Sequence, residues 1–213
     1  MRNLDPVKHE AKRRKILVAA TACFASKGFH DTRTADICAA AAISSGNLFH
    51  YFPSKQAIFT AIFEQDGVER ADALEDAKGS DDPLGALLNY LVGQARQSKY
   101  AHLSGLMFEI VANARRDKSF AALLRQNDRQ THAGIVSLLK RAAALGQTDS
   151  SLDPGVAAEW IMAVVEGVFV RASASRSFRL ADREAMLCRL IRSFVGASGP
   201  TRKGNKRSER SRV

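Results

Sequence analysis

The chain of 213 residues has one tryptophan, three tyrosines and three cysteines. So little aromatic content, with few threonines, argues against a sheet. No segment alternates apolar and polar residues as a half-buried strand would. Cys23, Cys38 and Cys188 make no CxxC pair and are odd in number, so neither a zinc ribbon nor a disulfide framework is expected. Each falls in an apolar helical pattern, as reduced core cysteines do. Long apolar runs are missing as well. Trp160 to Val170 is interrupted by Glu166, and nothing reaches the ~20 apolar residues of a membrane span. The run Ile16 to Ala25 follows a basic stretch as a secretion leader would, but Asp5 and Glu10 interrupt that stretch. Ile16, Leu17, Ala20 and Phe24 also share one helical face. A cytoplasmic protein that does not enter membranes is expected. Enzyme signatures are absent: there is no GxSxG, GxGxxG or P-loop, and Arg13 stands where HExxH would need its second histidine after His9-Glu10. The five histidines share no ligand spacing. No enzymatic activity, metal or cofactor is expected.

What is present is helix. Ala is abundant, and the five prolines fall between apolar-periodic runs rather than inside them. Asp82-Pro83 and Asp153-Pro154 read as an N-cap followed by proline at the first helical position. The pattern predicts an all-α fold with helices near 8–27, 34–41, 45–51, 54–77, 83–98, 100–116, 118–145, 154–175 and 181–197. The net charge of +10 is uneven. Residues 1–55 hold nine Lys/Arg against four acids, and 201–213 hold six against Glu209, while 56–200 balance. A polyanion is thus expected to meet the ends of the chain. The basic tail reads either as a solvated solubility segment or as an arm adding non-specific phosphate contacts.

Helices 34–41 and 45–51 are too short to stand alone and must be held by packing. Ile37, Ala41, Ile43, Leu48 and Phe52, with Phe24 and Phe29, can supply a three-helix core. Two short helices around a tight turn, inside a basic segment, form a helix-turn-helix pattern whose second helix fits a major groove. Ser44, Ser45 and Asn47 crowd the start of that helix. Asn47 can pair bidentately with adenine, and Gly46 lets the backbone approach. Phe49 and Tyr51 can press on sugar-phosphate or a thymine methyl. Lys55, beside the Ser54 cap, reads as a phosphate clamp. No Arg or Lys lies between Ser44 and Phe52, so A·T-containing positions are expected to be read there, with guanine left to Arg33 or His50.

Gly28-Phe29-His30-Asp31-Thr32, Asp36-Ile37-Cys38, Ala41 to Phe52 and Ser54-Lys55-Gln56-Ala57-Ile58 resemble the DNA-binding domain of the TetR family. The chain departs from that pattern at Ala42, where a turn glycine is usual, and at Arg33, where a Ser/Thr cap is usual. Arg33 is therefore counted with Thr34 among the DNA-facing residues. The resemblance implies a helix-turn-helix domain over 1–55, a helical effector-binding and dimerisation domain over 56–198, and a basic tail over 199–213. It also implies a pseudo-palindromic double-stranded DNA operator, a homodimer, and an unknown small-molecule effector that moves helix 54–77.

The last two body helices are apolar on more than one side, which calls for burial on two sides. Val164, Val168, Leu187, Ile191 and Phe194 are expected at a two-fold interface. His102, Met107 and Trp160 are expected in the effector pocket, on helices that line it in the family. Glu166 is either an interface-paired acid or a polar ligand anchor. A dimeric helical adaptor without specific DNA binding is the competing reading, and it leaves 28–58 unexplained.

Overall fold

The computed structural model describes residues 5–97, 101–175, 177–179 and 183–196; of residues 101–108 and 173 the backbone alone is described. Among the described residues there are nine helices and no strand. In chain order they are α1 (Pro6–Asp31), α2 (Thr34–Ala41), α3 (Ser45–Tyr51), α4 (Lys55–Lys78), α5 (Pro83–Arg96), α6 (Ala101–Arg116), α7 (Lys118–Ala144), α8 (Pro154–Ala174) and α9 (Glu184–Phe194). The cap signals in the sequence account for most of these boundaries. Asp5, Asp82 and Asp153 each accept backbone N–H bonds at helix starts with proline in the first turn. Ser44 accepts from the Asn47 N–H at 3.2 Å, and Ser54 from that of Ala57 at 3.0 Å. The basic tail 199–213 lies outside the described residues.

Two apolar cores build the molecule. In the head, Ile16, Leu17, Ala20 and Phe24 of α1 meet Ile37, Leu48 and Phe52, as the periodicity predicts. This core continues past residue 55 into Ile58, Phe59 and Phe63 of α4 and Phe120 of α7. Phe59 makes ring contacts with Phe24, Phe29, Phe63 and Phe120 at centroid distances of 4.9–5.4 Å. The body core gathers Leu74, Leu84, Leu87, Leu91, Ile135, Leu138, Ile161 and Ile191 from α4, α5, α7, α8 and α9. Helix α4 therefore belongs to both cores. Midway along it Gly67 is buried, and Asn127 of α7 donates from Nδ2 to the Phe63 carbonyl at 2.8 Å. A Cβ at Gly67 would meet the Asn127 amide, so any larger residue there would displace the amide from its bond to the Phe63 carbonyl.

The turn between α2 and α3 has the conformation the family's glycine would favour, on an alanine. Ala42 sits at φ 52°, ψ 54°, the left-handed region. Its N–H bonds to the Ala39 carbonyl and that of Ile43 to Cys38, closing α2. A Cβ in this region costs about 1 kcal/mol. Ala42→Gly is expected to raise unfolding free energy by roughly that amount, less some unfolded-state entropy, as measured by urea denaturation. A destabilised variant would contradict the strain.

Candidate nucleic-acid interface

The reading helix α3 is presented by its inner residues and leaves its outer ones to solvent. Leu48 is fully buried against α1 and α2, while Ser44, Ser45, Gly46, Phe49 and His50 are exposed. A Cβ built at Gly46 meets nothing within 4 Å, so the start of α3 faces open space. Asn47 is partly exposed and its side-chain amide has no hydrogen bond among the described residues. Phe49 keeps half its surface exposed, with no protein cluster around it. Arg33 is exposed at the N-cap of α2. A guanidinium has no acceptor to offer as a cap, and the cap bond runs the other way, from the Arg33 N–H to Asp36 Oδ2 at 2.8 Å. The Asp36 carboxyl is held below its ordinary range by the Lys27 ammonium at 2.8 Å and then by that N–H. Asp36 therefore stays ionised and fixes the α1–α2 angle, and Thr34 opens α2 beside it, partly exposed.

Lys55 lies elsewhere than its sequence context predicts. Its ammonium donates to the carbonyls of Phe29 at 2.6 Å, His30 at 3.0 Å and Thr32 at 2.8 Å, and stands 4.6 Å from the Phe29 ring centroid. An ammonium has three donors, so none remains for a phosphate. The cause is local. Gly28 leaves helical geometry at φ 79°, ψ 166°, and the short turn that follows ends with carbonyls lacking helical partners. Lys55 caps them, and the buried Thr32 hydroxyl, within 2.7 Å of the Gly28 carbonyl, secures the same bend. The phosphate clamp is thus replaced by a staple joining the start of α4 to the end of α1. The sequence signal for it was Gly28, a helix break that leaves acceptors unsatisfied.

The ring of Tyr51 is partly buried because His9 of α1 packs on it, with centroids 4.6 Å apart and planes 33° apart. His50 approaches the same pair, at 5.4 Å from Tyr51 and 6.3 Å from His9. Sequence reading missed His9, since nothing local links positions 9 and 51.

In the body, the structure redistributes the expected interface residues. Val168, Leu187 and Ile191 are buried in the chain's own core, at 9%, 7% and 0% exposure, and are not available to a partner. Val164 is partly buried, whereas Phe194 is exposed. Trp160, expected in the effector pocket, is instead 62% exposed on α8. The large apolar residues facing out are Val156, Trp160 and Val170 of α8 and Met186, Leu190 and Phe194 of α9. An all-round apolar helix does not announce which of its sides faces inward, hence the inversion. The side chains of His102 and Met107 lie outside the described residues. An open groove of about 580 Å³ runs between α7 and α8, lined by Asp128, Arg129, His132, Glu159, Met162, Ala163 and Glu166. Partial burial raises the Glu166 carboxyl above its usual range, Asp128 adds to this and Arg70 opposes it. Nearby, burial pushes the Tyr90 hydroxyl above its ordinary range, with Arg70 and a hydrogen bond to Thr131 opposing the rise.

The model of bacterial regulatory proteins of the tetR family matches residues 16–62, and that of the C-terminal domain of BetI-type transcriptional repressors matches 86–196, about half of the chain. The chain belongs to the TetR family. The HTH-type transcriptional regulator UidR of Escherichia coli K12 is 28% identical over 199 residues, covering 91% of this chain and 96% of UidR. RutR of the same strain is 46% identical over 55 residues, 26% of each protein. Among solved structures, Salmonella enterica GusR aligns with a TM-score of 0.67 at 25% identity, covering 92% of this chain and 99% of GusR. Bacillus subtilis FadR in complex with stearoyl-CoA aligns at 0.69 and 17% identity, over 84% of this chain and 97% of FadR, which bears on the fold. The chain is accordingly a DNA-binding transcriptional regulator of the TetR family. Among the described residues, no helix is long and apolar enough to cross a membrane.

Proposed function

We propose that this TetR-family regulator represses transcription in the cytoplasm, binding as a homodimer to a pseudo-palindromic operator and leaving it when a small molecule binds the body. One observation carries the DNA half of this reading: the N-terminal part of α3, with Gly46 open and the Asn47 amide without a partner, has no protein neighbour to serve. Arg33, Thr34, Ser44, Ser45, Gly46, Asn47, Phe49, His50 and Tyr51 form the DNA-facing set, with Asn47 reading adenine. Lys55 contributes by positioning α1 and α4 rather than by touching DNA.

The homodimer is supported by the outward apolar residues of α8 and α9. Val156, Trp160, Ala163 and Gly167 recur at i, i+4, i+7 and i+11, all exposed, and Met186, Leu190 and Phe194 at i, i+4 and i+8. Such stripes pair as helix bundles. The effector is supported by the α7–α8 groove, whose lining mixes Met162 and Ala163 with the charged and polar side chains of Asp128, Arg129, His132, Glu159 and Glu166. Any inducer must bind the DNA-incompetent conformation more tightly.

In vitro selection with the full chain, followed by binding of Asn47→Ala to the selected duplex, tests the reading. The selected half-site should contain A·T positions. Asn47→Ala should relax preference at one of them, at a cost of about 1–3 kcal/mol. A uniformly G·C half-site, or equal loss on every sequence, would overturn the assigned role. An adaptor would yield no selected sequence at all.

A further inference from the structure

The first three turns of α1 form a basic flank whose orientation is fixed by the reading helix. His9 is packed on Tyr51, the last residue of α3, and the Arg13 guanidinium carbon stands 5.5 Å from the centroid of the Phe52 ring, one residue beyond. Two contacts one helical turn apart thus hold α1 beside the C-terminal end of α3. Lys8, Lys12 and Lys15 follow at i, i+4 and i+7, so they share one face, and all three are exposed. The neighbouring acids lie mostly elsewhere. Glu10 pairs with Arg13 at 3.7 Å, and Glu64 and Glu69 of α4 face Arg13 and Arg14 at 4.0 and 3.7 Å. Lys12 and Lys15 have no acidic partner among the described residues, and Lys8 has only the exposed Asp5 at 3.4 Å. The lysine face is therefore a continuous positive surface adjoining the reading helix.

We infer that Lys8 and Lys12 of α1 form a second DNA-binding element that holds phosphates of the duplex lying along α3. The inference rests on α3 being the reading helix, and it adds a contact surface outside the helix-turn-helix. Lys8 and Lys12 are separated by about 6 Å of helix rise. A DNA strand carries a charge every ~3.4 Å of axis, so two phosphates of one strand match that separation. His9 sets the angle of approach through its stack on Tyr51, and Lys15 extends the same face by about another 4.5 Å of rise. Contacts of this kind hold the register without reading sequence. They also supply the charge that the helix between Ser44 and Phe52 lacks.

The test is a salt titration of binding to the duplex recovered by in vitro selection, comparing the wild type, Lys8→Ala/Lys12→Ala and Lys140→Ala. Lys140 is an exposed lysine on α7 and controls for net charge. The double variant should keep its melting temperature and its selected consensus. With two lysines lost from each protomer of the homodimer, its slope of log K against log salt should be shallower by about three to four, and affinity near 0.1 M salt lower by about a hundredfold or more. Lys8→Arg/Lys12→Arg should restore the slope, and Lys140→Ala should leave it unchanged. A double variant with the wild-type slope, or a Lys140→Ala variant with an equal loss, would overturn the inference. A wild type without sequence preference would remove the role of α3 as well, so the two failures are distinguishable.

Discussion

Lys55→Ala is expected to abolish operator binding by loosening the head, not by deleting a phosphate contact. The substitution leaves the carbonyls of Phe29, His30 and Thr32 without their donor and removes the cation from the Phe29 ring. Hydrogen bonds from a charged group contribute about 1.5–3 kcal/mol each, and acceptors left unsatisfied add to the cost. Partial exposure of this site lets water replace some of them, so a net loss of about 2–4 kcal/mol is expected. The melting temperature should fall by roughly 8 °C or more if the head unfolds as a small unit. Lys55→Arg should not rescue it, because a planar fork does not match three converging carbonyls. The decisive comparison is between stability and salt dependence. A phosphate clamp, lost once from each protomer of the homodimer, predicts an unchanged melting temperature and a salt slope shallower by about two, whereas the staple predicts a lower melting temperature, with an unchanged slope in whatever fraction remains folded. Calorimetry with salt-titrated binding on the same sample separates them.

Leu190→Glu/Phe194→Glu is expected to convert the proposed homodimer to monomers and to reduce operator affinity by about three orders of magnitude. Both side chains point out of α9, and burying either apolar group in a partner contributes about 1.5–3 kcal/mol. Replacing them with carboxylates across a two-fold axis sets like charges against each other. A monomer retains one reading helix, so the gap between specific and non-specific binding, typically 10³-fold or more, largely closes. Sedimentation at micromolar concentration reads the oligomeric state directly. Ile191→Ala is the control: Ile191 is fully buried in the subunit core, and its truncation should cost about 2–5 kcal/mol of folding stability while leaving folded protein dimeric. If Ile191→Ala dissociates the dimer and the double glutamate variant does not, the interface lies elsewhere.

The difference between Ile191 and Leu190 marks where sequence stops being informative. Boundaries were legible wherever a recognised cap residue makes its own local bonds, as Ser44, Ser54, Asp82 and Asp153 do, whereas α1 starts two residues before the expected position, on an Asp5 cap. The break at Gly28 was legible for the same reason, because it is decided within a few residues, whereas an alanine in place of the usual turn glycine left the conformation at Ala42 open. The exposure of Ser44, Ser45, Gly46, Phe49 and His50 on α3 followed from the pattern of one short helix whose Leu48 turns inward. The orientation of α8 and α9 was not legible, because helices apolar on more than one side satisfy the pattern with either side inward. Val168, Leu187 and Ile191 accordingly went inward, and Trp160, Met186 and Leu190 outward. Lys55 and His9 depend on partners 23–26 and 42 residues away, and no spacing rule reaches that far.

The same long-range contacts connect the body to the head. Arg116 of α6 reaches His30 Nε2 at 2.9 Å, beside the carbonyl that Lys55 holds. A guanidinium can only donate, so His30 Nε2 is the acceptor in this contact. A shift of α6 would bear on the turn that fixes α1 against α4, and through His9 and Tyr51 on α3.

The most direct test of the central claim, that this protein reads DNA sequence through α3, is wild-type affinity for its selected duplex against a scrambled duplex of equal length at about 0.15 M salt. The account predicts a preference of at least about 10³-fold, narrowed by Asn47→Ala at one base position. Equal affinity for the two duplexes, at every salt concentration, would contradict it.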